Sequence, residues 1–143
     1  VGTVVVPGAT ADDPSHYCNP QAPTAIVLLA LTANADHDTI TLVWQTGVEE
    51  NTVGFRLLRS VTGRRQDAAA MNAALVMAGA PQAANGTRTY RVTDDAVLHG
   101  VTYTYWLVEV DQTGGEHEFG PVTARLSPVE SSFRTYLPLL LTR

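Results

Sequence analysis

Lysine is absent from this sequence of 143 residues, and its nine basic side chains are all arginine. Fourteen aspartate and glutamate residues outnumber them, so the formal net charge at pH 7 is −5. Nucleic-acid binding and docking on anionic membranes both rely on a positive electrostatic field. The charge balance therefore excludes nucleic acid as the expected partner and argues against an anionic lipid surface.

Cysteine is nearly absent too, since Cys18 is the single residue of its kind. One thiol excludes an intramolecular disulfide framework and a thiolate-rich metal site. The longest aliphatic run, Ala25–Leu31, has seven residues, far below the roughly 20 that a membrane-spanning helix needs. The sequence opens on Val1 rather than methionine, which is expected of a processed mature chain whose targeting segment has been removed.

The residues that are present divide the chain into three parts. Residues 1–24 combine a β-branched strand candidate, Val1–Val6, with an arm rich in proline and other turn-forming residues. Residues 25–128 have the patterning of a domain, and residues 129–143 form an apolar tail. With 45% hydrophobic and 16% charged residues, the middle part has enough apolar mass for one core.

Alternation of apolar and polar residues dominates the middle part and predicts β-strands. The predicted strands are residues 26–33, 39–46, 53–60, 87–93, 101–110 and 117–126. The alanine-rich segment Asp67–Met77 predicts one or two helical turns at most, either alone or running into a short strand, with Asp67 as the N-cap. In the last strand, Gly120-Pro121 predicts a bulge at a sheet edge, because proline cannot donate to a central ladder.

Several segments carry a resemblance to a known family. They are residues 42–46 (LVWQT), 49–60 (EENTVGFRLLRS), 72–76 (NAALV), 90–94 (YRVTD), 100–111 (GVTYTYWLVEVD) and 120–124 (GPVTA). In this order, over residues 26–126, they resemble a fibronectin type III-like domain of the kind common in secreted and surface-attached bacterial proteins. The resemblance implies an all-β, immunoglobulin-like antiparallel sandwich, here with extra N- and C-terminal strands.

The resemblance also implies structural roles for two aromatic residues. Trp44 is expected to fill the space between the sheets, and Tyr103 to be the corner tyrosine whose hydroxyl bonds to upstream backbone. Alternation adds an outward-facing position for Trp106. The predicted core comprises Trp44, Phe55, Tyr103, Tyr105 and Leu107.

The candidate catalytic and metal-binding residues do not form a convincing constellation. The four histidines (His16, His37, His99 and His117) lie in separate segments without metal-ligand spacing. Asp94, Asp95 and Asp111 suit either a calcium ion or the capping of local turns, and turn capping is the commoner use. Glu49-Glu50 with Asp67 lacks the sugar-binding aromatics of a glycosidase. We therefore expect no enzymatic activity, no cofactor and no metal.

Asn85-Gly86-Thr87 fits both an N-glycosylation sequence and a turn.

The two apolar ends are surplus to such a domain. The candidate assembly strands contain Val4, Val5, Val6, Phe133, Tyr136, Leu137, Leu139 and Leu141. The tail is also similar to the Tyr-Leu-Pro-aliphatic endings of some bacterial surface proteins. Because exposed apolar strands invite association, each end either docks on a neighbouring copy or folds back on its own sandwich. Cys18, in the arm, is either a free thiol or half of an intermolecular disulfide.

These observations predict a secreted or cell-surface structural subunit, of bacterial type, whose partners are copies of itself. Docking a terminal strand head to tail does not close on itself, so repetition would build a filament. The alternative is a monomeric adhesion or carbohydrate-binding accessory module, which would use exposed aromatic residues such as Trp106. Neither hypothesis requires a cofactor, a nucleic acid or a membrane span.

Overall fold

The computed structural model describes residues 26–128. The strand candidate Val1–Val6, Cys18 and the apolar tail 129–143 all lie outside the described residues. The elements in chain order are β1 (Ile26–Asp36), β2 (Thr39–Glu49), β3 (Thr52–Ser60), a 3-10 turn (Arg65–Asp67), β4 (Ala69–Ala70), β5 (Val76–Met77), β6 (Arg88–Asp94), β7 (Thr102–Asp111) and β8 (Glu116–Arg125). Each of the six predicted strands is present: β1 and β2 are each three residues longer than predicted, and the bounds of the others differ by one residue.

The strands form two antiparallel sheets that pack face to face. The first sheet has the order β1-β2-β6, and the second has the order β4-β3-β7-β8, with β5 also pairing with β3. The β1–β2 hairpin closes with Asp36 opposite Thr39, so only two residues form its turn. The all-β sandwich predicted from the alternating pattern is confirmed.

The core lies between the sheets and follows the predicted alternation. Along β2 every second residue from Ile40 to Trp44 is buried, as are Phe55 and Leu57 on β3. The rings of Trp44 and Tyr90 stack at 5.1 Å between centroids, and the ring of Phe55 contacts both. Such aromatic pairs contribute about 0.5–1.5 kcal/mol each beyond the area they bury.

An ion pair links the two sheets at the edge of this core. Arg59 of β3 donates from Nη1 to both carboxylate oxygens of Asp94 on β6, at 2.8 and 2.9 Å. Tyr105 of β7 donates its hydroxyl to Asp94 Oδ2 at 3.0 Å, and the Ala96 N–H donates to Oδ1 at 3.2 Å. Burial raises the pKa of Tyr105, and the Asp94 carboxylate raises it further. Three strands from both sheets therefore meet on one carboxylate.

Trp106 faces the outer side of the second sheet, as alternation predicts, but it is not exposed. It packs with Leu58 and Val108 in a second, smaller apolar cluster and retains 5% exposure. The Arg65 guanidinium covers its ring at 5.9 Å and donates to Glu118 at 2.6 Å. The expectation that Trp106 presents its ring to solvent is wrong, because this ion pair closes over it.

The segment predicted to form one or two helical turns is largely extended, and the short strand that it was expected to run into is present as β4 and β5. Its only helical turn is the short 3-10 turn, which ends at Asp67, so Asp67 is not an N-cap. The rest runs along β3: the Met71 N–H donates to the Leu57 carbonyl at 2.9 Å, and Asn72 Oδ1 accepts the Leu57 N–H at 2.9 Å. The open edge of β3 offers this segment hydrogen-bond partners, and these outweigh the helical propensity of its alanines.

The predicted bulge is present in β8. Phe119 lies opposite Leu107 and Val122 opposite Tyr105, so Gly120 and Pro121 together face one residue of β7. Gly120 has φ 113°, a conformation that favours glycine. β8 is the edge strand of its sheet, which is where proline is tolerated.

Candidate functional site

The free edge of β1 is the most unusual surface of the described part of the chain. β1 pairs with β2 on one side and with no other strand among residues 26–128. Its residues 26–35 contain no charge and no proline, and the side chains of Val27 and Leu29 are 50% and 52% exposed. Beside them Gly47 of β2 carries no side chain; a methyl group there would lie 3.8 Å from both. The result is an apolar strip next to unpaired backbone groups.

The other sheet edges carry the features that normally prevent strand addition. The free side of β6 bears the exposed Arg91. β8 has the exposed acidic residues Glu116 and Glu118 and the bulge at Pro121. The outer side of β3 is covered by β4 and β5. Charges, proline, bulges and covering segments are the usual protections of an edge strand. Between residues 26 and 35, β1 has no charge and no proline, and its pairing with β2 is irregular only between Ile26 and Ala30.

His99 ties the end of β8 to the end of β1. Its Nδ1 lies 2.7 Å from the Ser127 carbonyl oxygen, and its Nε2 lies 2.8 Å from Asp38 Oδ1. Both partners are acceptors only, so both bonds require the doubly protonated imidazolium. The Ser127 carbonyl, and then the Asp38 carboxylate, raise the pKa of His99 above its usual value. The segment that leaves β8 is thereby held beside the β1–β2 turn.

This corner encloses an open cavity of about 400 Å³. Its lining residues are Ala35, Asp36, His37, His99, Arg125, Leu126 and Ser127. They come from the C-terminal ends of β1 and β8 and from the loop before β7. Its charged side chains include both signs, Asp36 and Arg125. Its main consequence is geometric: both strands end at the same end of the sandwich.

The predicted core residues all lie in the interior. Trp44, Phe55, Tyr105 and Leu107 are completely buried, and Tyr103 is 3% exposed. The Tyr103 hydroxyl accepts the Leu98 N–H at 3.0 Å, which is the upstream bond expected of a corner tyrosine. These residues are structural and offer no surface to a ligand.

The acidic residues that were considered for catalysis do not come together. Glu49 is buried and accepts the Tyr90 hydroxyl at 2.6 Å; burial, and then this bond, raise the pKa of Tyr90. Glu50 is exposed. Asp67 accepts the Thr62 hydroxyl at 2.5 Å. Each carboxylate serves a separate local contact, so the geometry holds no paired acid and base.

The remaining candidates stabilise turns. Asp111 Oδ1 accepts the N–H groups of Thr113 and Gly115 at 2.7 and 2.8 Å. The Thr113 hydroxyl, and then the Gly115 N–H, lower the pKa of Asp111. Asn85 Oδ1 likewise accepts from Thr87 across the intervening glycine. Within residues 26–128 no group of three or more potential ligands is placed to hold a metal ion, and no helix there is long and apolar enough to cross a membrane.

Sequence reasoning missed two features of this arrangement. His99 and its partner Asp38 are 61 residues apart, and no local pattern connects them. Arg59 did carry a signal, because alternation from Phe55 through Leu57 places it on the core-facing side of β3. An arginine at such a position predicts a buried acidic partner, and Asp94 is that partner.

The two packed antiparallel sheets, the central tryptophan and the corner tyrosine define the class: residues 26–128 form a fibronectin type III-like domain. Two solved structures are similar to it. One is an Fn3-like protein from Clostridium thermocellum, with a TM-score of 0.51 and 19% identity over 75% of this chain and 99% of that one.

The other is the pectate lyase PelI from Erwinia chrysanthemi, in complex with tetragalacturonic acid, with a TM-score of 0.50 and 21% identity. That match covers 66% of this chain but only 27% of the lyase. No family model matches the chain, and no curated protein matches it in sequence. At these identities the likeness establishes the fold, and the function has to be argued from the residues.

Proposed function

We propose that this chain is an extracellular structural subunit that associates with copies of itself by docking a terminal β-strand on the free edge of β1. The observation that carries the proposal is the contrast between the edges of the two sheets. The other three edges are charged, interrupted by proline, or covered, whereas β1 has neither charge nor proline over residues 26–35 and pairs regularly with β2 from Ala30 to Asp36. Repeated head-to-tail docking of this kind builds a filament.

The physical drive for docking has two parts. A docked strand satisfies the N–H and C=O groups along the free side of β1, which gives affinity without demanding a particular sequence. It also removes Val27 and Leu29 from water, and burying apolar surface is worth roughly 25 cal/mol per Å². The chain itself contains apolar segments of strand-forming composition at both ends, so a second copy supplies the docking strand.

A carbohydrate-binding accessory module is the second candidate, favoured by the likeness to part of a lyase whose structure holds tetragalacturonic acid. Sugar-binding surfaces use exposed aromatic rings. Every tyrosine and tryptophan among residues 26–128 is buried, the most exposed being Tyr90 and Trp106 at 5%. The described surface therefore supports self-association better than sugar binding.

Size-exclusion chromatography with light scattering tests the proposal on the full chain. Wild-type protein is expected to form species larger than the monomer, increasingly so with concentration. Leu29→Lys should return the protein to the monomer, because a charge on the strip opposes strand addition. Leu98→Lys is the matched control, since Leu98 is also an exposed leucine, 67% accessible, but lies in a loop. A wild-type chain that stays monomeric at high concentration overturns the proposal, as does equal loss of assembly in both variants.

A further inference from the structure

We infer that the strand docking on β1 is the C-terminal segment 133–143, running antiparallel to β1 with Arg134 beside Asp36. This inference rests on the proposed function and names the partner segment of the same edge. The competing segment is Val1–Val6. Three observations favour the C-terminal one: where β8 ends, how long the segment is, and how its charges and proline fit the edge.

β8 ends at the same corner of the sandwich as β1. Leu126 and Ser127 lie around the same cavity as Ala35 and Asp36, and His99 bonds both Ser127 and the β1–β2 turn. β1 and β8 therefore end at the same end of the sandwich. A segment that leaves there and returns along the sandwich meets β1 from its Asp36 end. On its own copy the segment runs antiparallel to β1, which is the more stable way to pair, and an exchanged segment that takes the same place on a neighbouring copy keeps this direction.

The link between β8 and the docking strand is long enough for this course. Residues 128–132 are five residues, which span at most about 17 Å when extended. The two sheets of a sandwich are about 10 Å apart, and neighbouring strands about 4.8 Å. The link is therefore long enough to reach the edge of β1 in its own copy, and it reaches a neighbouring copy only where that copy's β1 lies within the same distance. Residues 133–143 and β1 both contain eleven residues, so the segment is long enough to cover the regular part of the edge, from Ala30 to Asp36.

The charges and apolar residues select one register. With Arg134 opposite Asp36, whose side chain is 79% exposed, the segment places a cation on the one charged residue of β1. The same register sets Leu137 opposite Ala33 and Leu139 opposite Leu31. Ala33 and Leu31 pack against the core, and residues directly opposite share a face of the sheet. The apolar side of the segment then extends the core.

Pro138 is compatible with this register. Successive residues along a β-strand direct their N–H and C=O groups alternately to the strand on one side and to the strand on the other. Because a two-residue turn leaves Asp36 opposite Thr39, the groups of Asp36 and of every second residue before it point to β2. Ala33 and Ala35 then face the free edge. Pro138 falls opposite Thr32, so its missing N–H points away from β1, where a docked edge strand needs no donor.

Disulfide trapping tests the inference in the full chain. The double variant Asn34→Cys with Tyr136→Cys, in a Cys18→Ser background, joins two positions that the register places opposite each other. The first control pairs Asn34→Cys with Thr135→Cys, whose side chain falls on the other face. The second pairs Asn34→Cys with Val5→Cys and reports docking of the N-terminal strand. Under mild oxidation the Tyr136 pair is expected to cross-link at least about tenfold faster than either control.

Non-reducing electrophoresis separates the inference from the function on which it rests. A ladder of linked chains from the Tyr136 pair supports both. A linked monomer supports docking of residues 133–143 on β1 but overturns self-association. Faster linkage through Val5, or equal rates for Thr135 and Tyr136, overturns the inference even when the protein assembles. Hydrogen exchange gives a second readout: deleting residues 129–143 should expose the amides of Ala33 and Ala35, and unchanged protection contradicts the inference.

Discussion

The ion pair between the sheets offers a sharp test of how this sandwich is held together. Asp94→Asn keeps the size of the side chain but removes its charge. Asp94 is 4% exposed and Arg59 is 29% exposed, so the variant leaves a largely buried guanidinium without its counterion. It also weakens the acceptor of the Tyr105 hydroxyl. The matched control is Glu116→Gln, because Glu116 of β8 pairs with Arg56 of β3 at 2.6 Å, but with both side chains exposed (52% and 37%).

The two substitutions should differ clearly in free energy of unfolding. Removing one partner of a buried ion pair costs about 3–5 kcal/mol, and the partial exposure of Arg59 places Asp94→Asn near 3 kcal/mol. An exposed pair contributes about 0–1 kcal/mol, so Glu116→Gln should cost about 0.5 kcal/mol. For a domain near 100 residues, 1 kcal/mol shifts the melting temperature by about 4–8 °C. The gap between the variants should therefore be about 10–20 °C.

Urea unfolding followed by tryptophan fluorescence measures this difference, because Trp44 lies in the core that both sheets share. A third variant, Arg59→Met with Asp94→Leu, removes both charges and should lose less stability than Asp94→Asn alone, since no unpaired charge remains. The reasoning is refuted if Asp94→Asn costs no more than Glu116→Gln. It is equally refuted if the double variant is the less stable of the two, because the pair would then stabilise the fold by its own attraction.

Two further predictions concern the β5 contact and the β8 corner. Gly54→Ala should lower the free energy of unfolding by about 1–3 kcal/mol through overpacking, because the new methyl group would lie 2.5 Å from the Val76 carbonyl oxygen. Gly47→Ala is the control and should change the free energy of unfolding in urea by less than about 0.5 kcal/mol. Equal effects of the two substitutions would contradict this account. His99 should titrate by NMR above its usual 6.5, and Asp38→Asn should lower its pKa. Because the folded pKa of His99 is raised, its contribution to stability is fully present below the unfolded pKa of about 6.5 and is lost as pH rises through the folded pKa. A measured pKa of His99 at or below 6.5 would show that its two hydrogen bonds do not form in solution.

The strands and the core were predictable from sequence because both follow from local alternation. β2 shows this most simply: Ile40, Leu42 and Trp44 alternate with threonine and valine, and the structure buries the three. The bulge at Gly120-Pro121 was predictable for the same reason, since the missing proline donor acts within its own strand. Local chemistry decides such features, and the rest of the chain merely accommodates them.

The predictions that failed, and the contacts that sequence reasoning missed, involve residues that are far apart in sequence. Asp67–Met77 has helical composition, but the open side of β3 pairs with it. Trp106 has the alternation of an exposed residue, but Arg65 and Glu118 close over it from two other elements. His99 has no local signature at all, because its acceptors come from the β1–β2 turn and from the segment after β8. None of these contacts can be derived before the sheets are assembled.

The β1 edge differs from both the predictable and the missed features, because the observation there is an absence: residues 26–35 contain no charge and no proline. A monomeric sandwich gains nothing from an edge whose residues 26–35 carry no charge and no proline, and such an edge raises the risk of aggregation. The chain applies these protections elsewhere: arginine at position 91, glutamates and proline in β8, and two short strands beside β3. Unspecific aggregation is therefore opposed at every other edge, while pairing at β1 is left open. The occupant proposed for this edge is residues 133–143, because Arg134 would complement Asp36 and the leucines of the segment would continue the apolar side of β1.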